Sequence, residues 1–204
     1  MRISTKQTIL QAFNDLLMEN PFDKITIEMI AKRSNISKAT FYRYFMDKYD
    51  VMNYSYRLLV ESAFLDPKCN SWRSLFVALA ERGRSDSSRL RKAYNSQGVN
   101  SYTTYAFSFT YDVIEQVIFI SRGTNSLAEE EICKLTHFCY GVVGLFYNWI
   151  NGDFSCSTET FGQFIYDIMP EEFRDTWIDT QKAADIIAHS AEIASHPTKG
   201  FSIV

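Results

Sequence analysis

Little in this chain of 204 residues interrupts a helix, for it carries only four prolines and eight glycines. Apolar residues recur at three- and four-residue spacings and rarely alternate, which excludes a sandwich or barrel built from many short strands. No apolar run approaches the ~20 residues needed to cross a bilayer. Met1 to Lys6 also lacks the apolar segment of a secretory leader, so a cytoplasmic protein without a membrane partner is expected. The four cysteines, Cys69, Cys133, Cys139 and Cys156, form no CxxC pair. That excludes a zinc ribbon and a disulfide framework and leaves reduced, packed thiols. A net charge of −3 excludes a protein that coats nucleic acid without sequence preference. No Cys/His/Asp set or carboxylate pair stands out either, so no catalysis, cofactor or metal is expected.

What is present is apolar and aromatic: hydrophobic residues make up 46% of the chain and aromatic ones 15%, enough for a sizeable core. The pattern predicts an all-α fold. Ser4-x-x-Gln7 has capping-box form and precedes Ile9, Phe13, Leu16 and Leu17 on one face, which predicts a first helix ending near Asn20-Pro21. Thr26 caps a short second helix with Ile27, Ile30 and Ala31 on one face. Ser34-Asn35-Ile36 makes a turn in which Asn tolerates the left-handed conformation, and Ser37 caps a third helix through Phe45. Asp47 opens a fourth helix that runs to about Phe64, before Asp66-Pro67. Beyond it, helices are predicted at 70–82, 87–97, 101–121, 128–151, 157–169 and 171–194. The expected organisation is a three-helix N-terminal domain over 1–48, joined by the long fourth helix to a helical domain over 49–204.

Two helices of about eight residues joined by a three-residue turn have the dimensions of a helix-turn-helix that reads DNA, and also those of an ordinary bundle corner. Charge favours the first reading. Residues 24–48 hold Lys24, Lys32, Arg33, Lys38, Arg43 and Lys48 against only Glu28 and Asp47, a basic patch on an acidic body. Phe41 and Phe45, four apart, should pack on Ile30, Ile36 and Phe13. That turns Lys38, Thr40, Tyr42 and Arg43 outward, with Tyr44 at the edge.

The stretch Thr26-x3-Ile30-Ala31-x2-Ser34-Asn35-Ile36-Ser37-Lys38-Ala39-Thr40-Phe41-Tyr42-Arg43-Tyr44-Phe45-x2-Lys48 resembles the N-terminal domain of the TetR family of regulators. Ser34-Asn35 stands where that family commonly has Ala-Gly, and Tyr44 where it commonly has His. The resemblance spans about residues 4 to 64. It implies a homodimeric regulator, usually a repressor, that binds palindromic double-stranded operator DNA and answers to a small-molecule effector; control by a protein partner is the alternative. The candidate DNA-binding residues are Thr26, Ser37, Lys38, Thr40, Tyr42, Arg43, Tyr44 and Lys48. Thr26 presents helix-start amides to a phosphate, Tyr42 donates to another and Lys48 neutralises a third, while Lys38, Arg43, Thr40 and Tyr44 face bases.

The rest of the chain carries weaker signals. Ile132, Leu135, Phe138, Cys139, Val142, Val143, Phe146, Trp149 and Ile150, with Gly141 and Gly144, form an apolar segment. With 157–169, it is where the resemblance implies the dimer interface; a core within one chain is the alternative. An aromatic segment suggests an effector pocket lined by Tyr102, Tyr105, Ala106, Phe109, Phe138 and Tyr147. Phe173, Trp177, Thr180, Ala184, Ile187, Ala191 and Ala194 read as one packing seam. Arg82, Arg84, Arg89, Arg91 and Lys92 form a second basic run, read as a solvated face or an anion site. Cys133, His137 and Cys139 have helical spacing, and Cys133 and His137 stand one turn apart as a metal or redox sensor would need, but Cys139 points to another face.

Overall fold

A computed structural model of the protein describes residues 4–96 and 101–195. Among these residues there are eleven α-helices and no strand. α1 (Thr5–Glu19) opens with the expected capping box, in which Ser4 Oγ accepts from the Gln7 amide and the Gln7 side chain accepts from the Ser4 amide. A single 3₁₀ turn (Phe22–Lys24) leads into α2 (Ile27–Arg33) and α3 (Lys38–Tyr42). Ile9, Phe13, Leu17, Ile30 and Phe41 are fully buried between these elements. α4 (Lys48–Phe64) starts where Asp47 Oδ1 accepts from the Asp50 amide at 2.8 Å. It contains no Gly or Pro, so it leaves the N-terminal unit unbroken.

The body consists of α5 (Trp72–Ser85), α6 (Ser87–Tyr94), α7 (Tyr102–Arg122), α8 (Glu129–Asn151) and α9 (Thr158–Ile168), then α10 (Glu171–Arg174) and α11 (Thr180–Ser195). α5 and α9 form the most extensive helix pair. The approach is close because α9 offers Gly162: a Cβ there would lie 2.6 Å from the Val77 Cα and N. Trp149 stacks on Phe161 at 4.4 Å, which ties α8 to α9.

Three expectations change. The last helix is two, because Thr176 Oγ1 donates to the Phe173 carbonyl at 2.6 Å and Trp177 leaves the helix to stack on Phe64 at 5.7 Å. Asp179 Oδ1 then accepts from the Lys182 amide as α11 begins. The seam changes with it: Ala183, Ile186, Ile187 and Ser190 are buried against α4 and α7, while Ala184 is exposed. The side chains of Thr180, Ala191 and Ala194 lie outside the described residues. Secondly, Leu135, Phe138, Cys139, Val142, Val143, Trp149 and Ile150 are buried within this one chain, so they build its core. Thirdly, α6 closes at Tyr94, and the expected end at residue 97 lies outside the described residues.

The second basic run is not a solvated face. Arg82 donates to the Ser62 carbonyl at 2.7 Å and pairs with Asp66 at 3.0 Å, both just beyond or within the C-terminal end of α4. Arg89 holds Asp86 and donates to Ser55 Oγ on α4, and Lys92 Nζ donates to the Met18 carbonyl on α1. Arg84 lies over the Trp149 ring at 4.2 Å. Four of the five cations thus fasten α5 and α6 to their neighbours. Gly162→Ala should force backbone apart and cost about 1–3 kcal/mol. At about 2–4 °C per kcal/mol for a chain of this length, thermal unfolding will show the loss, and an unchanged Tm would mean that α9 slides freely on α5.

Candidate nucleic-acid interface

Short helices need their ends satisfied, and both helices of the N-terminal pair are capped as their sequences imply. Thr26 Oγ1 accepts from the Met29 amide at 3.2 Å, and Ser37 Oγ accepts from the Thr40 amide at 3.0 Å. Between them Asn35 has φ 54°, the one non-glycine residue with positive φ among the described residues. That conformation lets the Ile36 amide reach back to the Ala31 carbonyl at 3.0 Å and closes the turn. Ser34 is buried and spends its hydroxyl on the Ile30 carbonyl at 2.7 Å.

α3 is shorter than expected, ending at Tyr42 rather than Phe45. Its last turn tightens, with the Arg43 amide on the Thr40 carbonyl and the Phe45 amide on the Phe41 carbonyl, so Phe41 and Phe45 still both point inward. The opposite side is open. Tyr42 is 57% exposed, Tyr44 39% and Met46 57%, and Thr26, Ser37, Lys38 and Arg43 are exposed beside them, with Thr40 half-buried. Seven of the eight expected residues therefore share the outer surface of the pair. Met46 was not expected there; its alternation with Phe45 was the available signal. Lys38 Nζ pairs with Glu28 at 2.9 Å, which raises the lysine's pKa, but both groups are exposed and water or another anion can replace the carboxylate. Arg33 is engaged by both Glu19 oxygens, whereas the Arg43 guanidinium has no ion pair among the described residues.

Lys48 is the exception. Its ammonium donates to the carbonyls of Phe22 at 2.9 Å, Asp23 at 3.3 Å and Ile25 at 3.1 Å, and lies 4.5 Å from the Phe22 ring centre. All three N–H groups are committed, and partial burial lowers its pKa. The expected phosphate contact is thus replaced by a clamp on the 3₁₀ turn that leads into α2.

A second site lies in the body. Side chains from α4, α5, α6, α7 and α8 line a partly open, apolar cavity of about 60 Å³. Of the six residues expected to line a pocket, Tyr102 and Phe109 do so. Tyr105 packs between Tyr56 and Phe109, Ala106 is buried in helix packing, Phe138 abuts Phe76, and Tyr147 sits outside against Tyr94. The principal missed residues are Tyr56, Tyr94 and Thr110, which become neighbours only when α4, α6 and α7 assemble. Cys133 and His137 are exposed one turn apart and Cys139 is buried, its thiol pushed up by desolvation. They do not converge, and no group of three potential metal ligands occurs among the described residues. Nor is any described helix long and apolar enough to cross a membrane.

Comparison with known proteins agrees with this geometry. A family described as "Bacterial regulatory proteins, tetR family" matches residues 9–54, and one described as "Transcriptional regulator C-terminal region" matches residues 70–171. A curated relative, the uncharacterized HTH-type transcriptional regulator YdeS of Bacillus subtilis (strain 168), is 46% identical over 44 residues. That match covers 22% of this chain and 22% of YdeS, so the chain aligns with about a fifth of that relative's length. Among solved structures, the dihydroxyacetone kinase operon activator DhaS superposes with a TM-score of 0.56 at 16% identity, covering 87% of this chain and all of DhaS. The fatty acid degradation regulator FadR from Bacillus halodurans gives 0.50 at 13% identity, over 83% of this chain and 96% of FadR. At such identities the likeness is one of fold.

The left-handed turn is testable by itself. Asn35→Gly should leave stability unchanged or raise it slightly, whereas Asn35→Ala should cost about 1 kcal/mol, because a Cβ without a local hydrogen-bonding group disfavours φ > 0. Chemical denaturation of the two variants side by side measures the difference; equal midpoints would show the turn to be unstrained.

Proposed function

The chain belongs to the TetR family of bacterial transcription regulators, and from that premise we propose that it is a homodimeric repressor of the genes behind a palindromic operator, released by a small molecule. The observation that carries this reading is the outer surface of α3. Hydroxyls and two cations, Lys38 and the C-cap Arg43, project from a capped helix that is anchored inward by buried Phe41 and, just past its end, Phe45.

In this reading α3 enters the major groove. Arg43, with no ion partner among the described residues, and Lys38, lightly held by Glu28, reach guanine acceptors, while Thr40 and Tyr44 supply shorter contacts to bases. Tyr42 donates to a phosphate, and the capped starts of α2 and α3, at Thr26 and Ser37, present amides to others. Lys48 acts from behind by holding the approach to α2 in place. Arg43→Ala should cost about 1–3 kcal/mol of operator affinity and relax preference at one position per half-site. Lys48→Ala should weaken all sequences about equally and lower fold stability by about 1–2 kcal/mol, since three carbonyls lose a charged donor. Fluorescence anisotropy with operator and scrambled DNA distinguishes the two, and unaltered affinity in both variants overturns the assignment.

One module contacts too few base pairs for specificity, so two copies must pair. The face available is the outside of α8 and α9. There Ile132, Tyr140, Tyr147, Phe164 and Ile168 are all more than a third exposed, and a Cβ at Gly141 or Gly144 meets nothing within 4 Å in its own chain. Such an apolar strip with small residues suits close pairing with a symmetry mate. Gly144→Leu should therefore leave the fold intact and shift sedimentation toward monomer; a variant that remains dimeric places the interface elsewhere.

The cavity is joined to the DNA-reading unit by two helices. α4 contributes Tyr56, Leu59, Val60 and Phe64 to its wall, and α6 contributes Leu90 and Tyr94 while Arg89 and Lys92 grip α4 and α1. A ligand that displaces either helix tilts α3. Two recognition helices must stand about 34–36 Å apart, or a multiple of it, so a small tilt breaks the match to successive grooves.

A further inference from the structure

The chemistry of the cavity wall says what it can hold. Among the described residues not one Asp, Glu, Lys, Arg or His lines it. An ion placed there would lose its hydration with no opposite charge to replace it, which disfavours carboxylates and ammonium groups alike. Arg89 and Asp86, whose charges act on Tyr102, are already paired with each other. The indole N–H of Trp72 is spent on Thr176 Oγ1, and the other polar side-chain atoms of the described lining are hydroxyls. Tyr56 and Thr110 share a hydrogen bond of 2.9 Å, and Tyr94 and Tyr102 stand beside them. A hydroxyl pair uses one of its two protons internally, so it keeps one O–H to donate and lone pairs to accept with. Burial holds the Tyr56 phenol protonated, its pKa pushed up to about 12. The wall is also rich in rings set edge to face: Tyr94 on Tyr102 at 4.8 Å and 73°, Tyr56 on Tyr102 at 5.3 Å and 87°, and Tyr56 on Phe109 at 5.8 Å and 84°. Such edges match the face of one more ring.

Volume sets the upper limit. At about 60 Å³ the cavity exceeds the roughly 10–15 Å³ that admits one water and falls short of the ~150 Å³ apolar cavity that binds benzene. One ring enters if Leu59, Leu75 or Leu79 changes rotamer; a long acyl chain or a fused polycycle would need helices to part.

We propose that this cavity takes an uncharged ligand of single-ring size, with a hydroxyl set against the Tyr56–Thr110 pair. The proposal rests on reading the cavity as the effector site, and names the chemical class of that effector. Phenol, toluene, benzoate, benzylammonium and octanoate serve as probes against the full-length protein, by calorimetry and thermal shift, with operator affinity measured alongside. Phenol should bind most tightly, toluene about tenfold more weakly, and the three ions at least a hundredfold more weakly. Thr110→Val combined with Tyr56→Phe keeps the shape of the wall and removes both hydroxyls of the pair. The double variant should erase the preference for phenol over toluene while toluene still binds, which a merely structural role of the pair would not do. An ion that binds as tightly as phenol, a phenol preference that survives the double variant, or no binding by any probe overturns the proposal. If phenol binds as stated but operator affinity does not move, the ligand class stands and the effector reading falls.

Discussion

The structure hangs on α4. Its first turn is fixed by Asp47 and by Lys48, whose ammonium reaches back to three carbonyls ahead of α2, and its last turn is fixed by Arg82 on Ser62 and Asp66. Between those anchors Tyr56, Leu59, Val60 and Phe64 face the cavity. With no Gly or Pro to bend it, a helix held this way transmits displacement rather than absorbing it. Each neighbouring part is arranged around that fact: α6 braces it through Arg89, α11 covers it, and α1 packs against it.

The positive charges divide into two kinds that composition alone does not separate. Lys48, Arg82, Arg89 and Lys92 are committed to carbonyls, hydroxyls or carboxylates of this chain, and each lies at a junction between helices. Lys38 and Arg43 are exposed on the outer face of α3, one weakly paired and one without an ion partner among the described residues. A protein of net charge −3 thus presents positive charge outward where a polyanion would lie and uses much of the remainder as internal fastening.

That division also explains what was legible in the sequence. Helix starts were legible, because a Ser, Thr or Asp before a periodic apolar face has one local use, and Ser4, Thr26, Ser37 and Asp47 all cap as expected. The inward turn of Phe41 and Phe45 followed from spacing, and so did the exposed face opposite them. Long-range choices were not legible. Whether Lys48 meets a phosphate or the Phe22 carbonyl, 26 positions away, depends on how the 3₁₀ turn folds back. Whether apolar residues on α8 meet a second chain or α5, α6 and α7 depends on rotation of the helix, and both faces of α8 are apolar enough to suit either. The cavity failed for the same reason: a run of aromatics on α7 showed that rings were present, but only assembly puts Tyr56, Tyr94 and Thr110 in one wall.

The helices around α4 differ in how tightly they can hold it. α5 and α9 meet through Gly162 at backbone contact, a seam that tolerates no displacement without steric clash. α11 lies beyond residue 171, where the match to the C-terminal regulator region stops, and packs on α4 and α7 with Ala183, Ile186 and Ile187. Buried on these three helices, Asn53 Oδ1, Asp112 Oδ2 and Ser190 Oγ have no hydrogen-bond partner among the described residues. Each such orphan lowers the cost of parting the surfaces, because separation returns it to water. The α5–α9 pair is therefore the fixed frame of the body, and the α11 side is where α4 yields at least energetic cost when the cavity wall moves.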